Sequence, residues 1–173
     1  MSGTVASGTV RSDTATSSGF NADYSLSLSG SKFVTDGLAV GVIVRGQRNT
    51  PLRAQGESES AFIGPLATYF FSKSPVGSAY IEAGPGYVRY REESVLDSGN
   101  QQINQKVVGN GVGLVSTFGY SIIIKDIVGF DLGFSLVTAW LWGDRISDPP
   151  LTMTSEKFRI GDYSFNFGFK VLL

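Results

Sequence analysis

The chain of 173 residues contains no histidine and no cysteine. Imidazole acid–base chemistry, thiol nucleophiles, disulfides and zinc sites built on Cys or His are therefore excluded. Carboxylates remain. Asp23, Glu59, Glu82 and Asp131 occupy positions that could share one interior, where a carboxylate-only hydrolase would need two of them. Arg45, Lys170 and Lys32 could instead neutralise these acids. An enclosed ion-pair network of Asp23, Arg45, Glu82, Asp131 and Lys170 is the reading adopted. The run Gly109-Asn110-Gly111-Val112-Gly113 is rich enough in glycine to suggest a phosphate loop. It lacks the dinucleotide spacing and has no Lys-Ser/Thr after it. Alternate glycines that make room for bulky neighbours explain it better. Arg89, Arg91, Glu92 and Glu93 form a charged group suited to a solvated rim or to lipid phosphates. No catalytic, cofactor-binding or metal-ligating residue is assigned.

The elements that would position these groups repeat with a period of two. From Tyr163 the odd positions Tyr163, Phe165, Phe167, Phe169, Val171 and Leu173 are apolar, opposite Ser164, Asn166, Gly168 and Lys170. Side chains alternate across a strand, so this segment predicts a strand with one apolar and one polar face. The same pattern runs from Phe20 to Ser29 and from Phe130 to Trp142, with Val137 and Leu141 as exceptions on the polar face. Val107–Ile124 is uncharged and about long enough to cross a bilayer as a helix. Its four glycines and its Ser, Thr and Asn residues argue for strand instead.

Punctuation divides the chain into eight expected strands, near 2–11, 20–34, 38–48, 57–71, 78–92, 102–124, 127–142 and 157–173. Tight connections at 35–37, 72–77 and 125–126 alternate with longer ones at 12–19, 49–56, 93–101 and 143–156. That predicts one domain, 1–173: an all-β, eight-stranded antiparallel up-and-down barrel.

A barrel can bury its apolar face or expose it to lipid. Charged residues are only 17% of the chain, with 14 Lys plus Arg against 15 Asp plus Glu. An ordinary soluble domain carries about 25%, and the balance gives no basic surface for nucleic acid. The polar faces hold mostly small side chains (Ser25, Ser27, Ser29, Gly133, Ser135, Ser164, Asn166, Gly168), which suit a narrow interior. The other face is bulky, with Phe130, Leu132, Phe134, Phe165, Phe167 and Phe169 expected to meet lipid. Trp140, Trp142, Tyr163, Tyr87, Tyr90 and Phe20 would form one aromatic belt. Phe33, Phe70, Phe71, Tyr80, Tyr120 and Phe130 would form the other.

Several segments resemble the small OmpA/OmpX-like outer-membrane β-barrels common in Bacteroidetes. They are Phe33–Gly41, Ile63–Phe71, Tyr80–Tyr87 and Asp126–Gly133. The final run Asn166–Leu173 is similar to the C-terminal signal read by the outer-membrane insertion machinery, although it ends in Leu173 where that signal usually ends in an aromatic residue. The resemblance covers roughly residues 20–173. It implies a transmembrane barrel in the bacterial outer membrane, with short periplasmic turns, and with the lipid bilayer, lipopolysaccharide and the insertion machinery as partners. It implies no single activity.

The expectation is thus a non-enzymatic outer-membrane barrel with a structural or surface-interaction role, no cofactor, and an interior closed by polar and charged side chains. Met1–Gly8 has no basic start followed by an apolar stretch, so this reading also expects a signal peptide to have been removed. The alternative is a soluble, lipocalin-like barrel that binds a small hydrophobic ligand.

Overall fold

Among the described residues seven strands follow one another along the chain and pair in the same order, each antiparallel to the next, in a single sheet. They are β1 (Asn21–Thr35), β2 (Leu38–Pro51), β3 (Gly56–Phe70), β4 (Gly77–Ser98), β5 (Gln101–Ile124), β6 (Val128–Asp148) and β7 (Thr152–Val171). The computed structural model describes residues 21–51, 56–71, 76–98, 101–124, 128–148 and 151–171. The expected first strand, 2–11, and Phe20 lie outside the described residues. No helix of the described residues is long and apolar enough to cross a membrane. Val107–Ile124 forms most of β5.

The end bearing the β1–β2 turn is called the lower end below. That turn is the pair Asp36-Gly37, closed by Thr35 opposite Leu38. Gly37 has φ +79°, a left-handed conformation that glycine adopts without a Cβ penalty. Its carbonyl accepts the Phe70 N–H at 2.7 Å, which ties the turn to β3.

The upper end corrects one expectation. Residues 49–51, 56, 93–98, 101, 143–148 and 152–156 are strand, not loop. β4 and β5 stay paired to Ser98 opposite Gln101, and β6 and β7 to Ser147 opposite Thr152. The polar composition of these segments marks exposure to water, and polar residues pair in ribbons as readily as apolar ones.

The sheet curls so that strands distant in its order meet across the concave face. Arg45 on β2 reaches Asp162 and Ser164 on β7. Inside lies an apolar cluster of Ile43, Phe62, Leu66, Val88, Val115, Ala139 and Leu141, with Tyr90, Val137, Phe158 and Ile160 packed against it. The interior is therefore polar and charged only in part. Val137 and Leu141, which break the alternation on the polar face of their strand, belong to this apolar packing. Two glycines make it possible. A Cβ on Gly109 would sit 2.8 Å from the Phe158 ring, and one on Gly113 would sit 2.7 Å from a Val88 methyl. The glycine run clears space for neighbours, as its spacing suggests.

Candidate functional site

Two arrangements of side chains have the chemistry to matter: a polar chain across the interior and an apolar stripe around the outside. Each follows from strand alternation acting on a curled sheet.

In the interior, Arg45 is 6% exposed. Its Nη2 donates to Ser164 Oγ at 3.1 Å and lies 3.6 Å from the Asp162 carboxylate. Ser164 donates to Asn166 Oδ1 at 3.2 Å, the Asn166 amide donates to Ser135, and Ser135 shares a 2.8 Å hydrogen bond with Thr117. The chain thus links β2, β7, β6 and β5. Below it, Thr68 donates to Glu82 at 3.3 Å. Arg45, Glu82 and Asp131 all border one cavity of about 30 Å³. That is room for about one water molecule.

Three of the five expected network residues therefore meet here: Arg45, Glu82 and Asp131. The side chains of Asp23 and Lys170 lie outside the described residues; in the backbone register Asp23 pairs with Asn49 and Lys170 with Gly129. Glu59 and Lys32 face outward, against expectation, because the inward positions are even in β3 and odd in β1. Glu59 lies 3.8 Å from Arg48. Asp162 was missed. It shares the even parity of Ser164 and Asn166, and that signal alone would have found it.

The aromatic belts also divide by parity. Phe33, Phe70 and Tyr80 face inward and stack in sequence, with ring centroids 5.6 and 5.8 Å apart. They fill the lower part of the interior and cannot form an outer belt. Tyr90 also faces inward, with its ring 5.8 Å from that of Phe158. Where both faces of a segment are apolar, as at Tyr80-Ile81, composition cannot say which residue turns in. Phe71, Tyr120 and Phe130 remain outward at the lower end; Tyr87, Trp140 and Trp142 remain outward above. Tyr163 is outward but pairs with Leu136, four residues along β6 from Trp140, so it stands near mid-height.

The outward face carries most of the large apolar side chains. Among the described residues twenty-nine of them are exposed, against ten buried hydrophobic residues. Phe165, Phe167, Phe169, Leu132 and Phe134 are among the exposed set, and Phe130 is half-buried against Phe169. On β6 the stripe runs from Phe130 to Trp142. Twelve residue steps span about 40 Å along a strand, or about 28 Å along the axis at the usual 45° tilt.

Above the stripe the outward residues become charged. Arg91 lies 2.6 Å from Glu93, which also meets Lys106 at 3.2 Å. The hydrogen bond from Arg91, followed by that from Lys106, holds the Glu93 carboxyl below the usual carboxylate range. Arg48 pairs with Glu57, and the Arg159 guanidinium lies over the Trp140 ring at 5.5 Å. Among the described residues no group of three or more acidic side chains could hold a metal ion. No protein-family model and no curated protein matches this chain.

Proposed function

We propose that this chain is a transmembrane β-barrel of the bacterial outer membrane, akin to the small OmpA/OmpX-like barrels, with a structural or surface-interaction role and no catalytic one. One observation carries the reading: a broad apolar stripe faces outward, while hydrogen-bonded polar groups share the interior with the apolar cluster. In water such a surface would be an aggregation hazard. In lipid it is the expected lining, and its height of about 28 Å approximates the roughly 25 Å apolar band of outer-membrane barrels.

Closure follows from strand direction. β1 and β7 both run from the upper end to the lower, so joining them directly would create a parallel pair. One additional strand running upward between them makes every pair antiparallel and brings the number to eight. We assign that strand to residues 2–11. Bilayer lipid, including lipopolysaccharide, and the insertion machinery are then the partners, with the ribbons at the upper end facing the cell exterior.

The test is single-cysteine labelling along β7 after folding into vesicles. A lipid-restricted reagent should modify Phe165→Cys and Phe167→Cys and spare Ser164→Cys and Asn166→Cys. The opposite pattern, or a protein that stays in the aqueous phase without detergent, would favour the soluble ligand-binding barrel.

A further inference from the structure

One row of the sheet interrupts the outward stripe where it meets the charged rim. Leu26, Gly46, Ala61 and Arg89 are directly paired in succession across β1 to β4. The two small residues leave a notch between Leu26 and Arg89, with a volume of about 760 Å³. It is open at Gly46, where a Cβ would find nothing within 4 Å. The row below is apolar, with Val44 and Ile63 exposed at its centre. The row above is charged, with Arg48, Glu59 and Arg91 in register.

Most of the charges bordering this notch are paired. Three arginines (Arg48, Arg89, Arg91) face one carboxylate, Glu59. Arg48 and Arg91 are held by Glu57 and Glu93. Arg89 makes no ion pair with any described residue, although it stands beside Ala61 at the edge of an apolar surface. A guanidinium there favours an anion that brings its own apolar body, and its planar fork matches phosphate oxygens.

We propose that the notch is a binding site for an anionic membrane lipid, whose phosphate meets Arg89 and whose acyl chain crosses Gly46 and Ala61 onto Val44 and Ile63. The site rests on the membrane reading above and makes it specific. Lys157 and Arg159 are also exposed cations near the upper edge, but in the register they stand opposite Trp142 and Trp140, and Arg159 lies over the Trp140 ring. The notch distinguishes Arg89 from them.

The test uses the full chain folded in a neutral detergent. Retained phosphatidylglycerol and phosphatidylcholine are counted by native mass spectrometry, and insertion into vesicles is followed separately. The parent should retain phosphatidylglycerol at least tenfold better than phosphatidylcholine. Arg89→Gln should abolish that preference, Gly46→Leu should abolish it by filling the notch, and Lys157→Gln should leave it intact. An unchanged Arg89→Gln, equal loss in Lys157→Gln, or displacement of the lipid by equimolar inorganic phosphate would overturn the site. If the parent inserts into vesicles yet shows no preference, the site alone is wrong. If it never inserts, the membrane reading falls with it.

Discussion

Leu136→Arg separates the lipid-facing account from its rival by magnitude. Leu136 lies outward on β6, is 47% exposed, and stands six residues from both Phe130 and Trp142. It is thus at the middle of the stripe. A charge at the midplane of a barrel exterior costs about 2–4 kcal/mol, or about 30- to 900-fold in the folding equilibrium. Were the same face in water, an exposed leucine could become arginine within about 0.5 kcal/mol. Ala61→Arg supplies the depth control. Ala61 is outward and exposed, in the row next to the charged rim, where the cost falls to about 0–1 kcal/mol. Urea titration in vesicles, followed by tryptophan fluorescence, measures both. A Leu136→Arg variant as stable as the parent, or one no worse than Ala61→Arg, would refute the reasoning.

Four further outcomes follow from the geometry. Arg45→Met removes the buried guanidinium beside Asp162 and should cost about 3 kcal/mol, near the low end for a broken buried pair because Asp162 is partly exposed; urea unfolding should show most of that loss recovered in Arg45→Met/Asp162→Leu. Gly113→Val drives a methyl into the buried Val88 and should destabilise by about 1–3 kcal/mol, read as a lowered unfolding midpoint. The Glu93 carboxyl should titrate by NMR below an ordinary glutamate; its depressed value means that the rim contact is complete above the unfolded carboxyl range and lost as pH falls through the folded value, and Arg91→Gln should raise it. The purified monomer should give no porin-sized conductance steps in a planar bilayer, since the apolar cluster and the polar chain occupy the interior.

Strand alternation made the class of fold legible, because a period of two survives wherever one face is uniformly apolar. Phe165, Phe167 and Phe169 opposite Ser164 and Asn166 are the plainest case, and the structure keeps that division. Legibility ends where both faces are apolar. Tyr80 and Ile81 are equally greasy neighbours, and only the pairing of β4 with β3 and β5 turns Tyr80 inward. The extent of the strands was hidden for a related reason: Ser94–Ser98 and Thr152–Glu156 have the composition of loops, while their backbone hydrogen bonds make ribbons. The Arg45–Asp162 contact was beyond any local pattern, since it joins strands five places apart and depends on how far the sheet curls.

The chain has two tryptophans, Trp140 and Trp142, and both stand outward at the upper edge of the stripe. Their fluorescence in vesicles of brominated lipid therefore reports directly whether that edge sits at a membrane interface. The account predicts strong quenching by bromines near the headgroups and progressively weaker quenching by bromines deeper in the chains. Equal emission in brominated and ordinary vesicles would contradict it, as would strongest quenching at the bilayer centre.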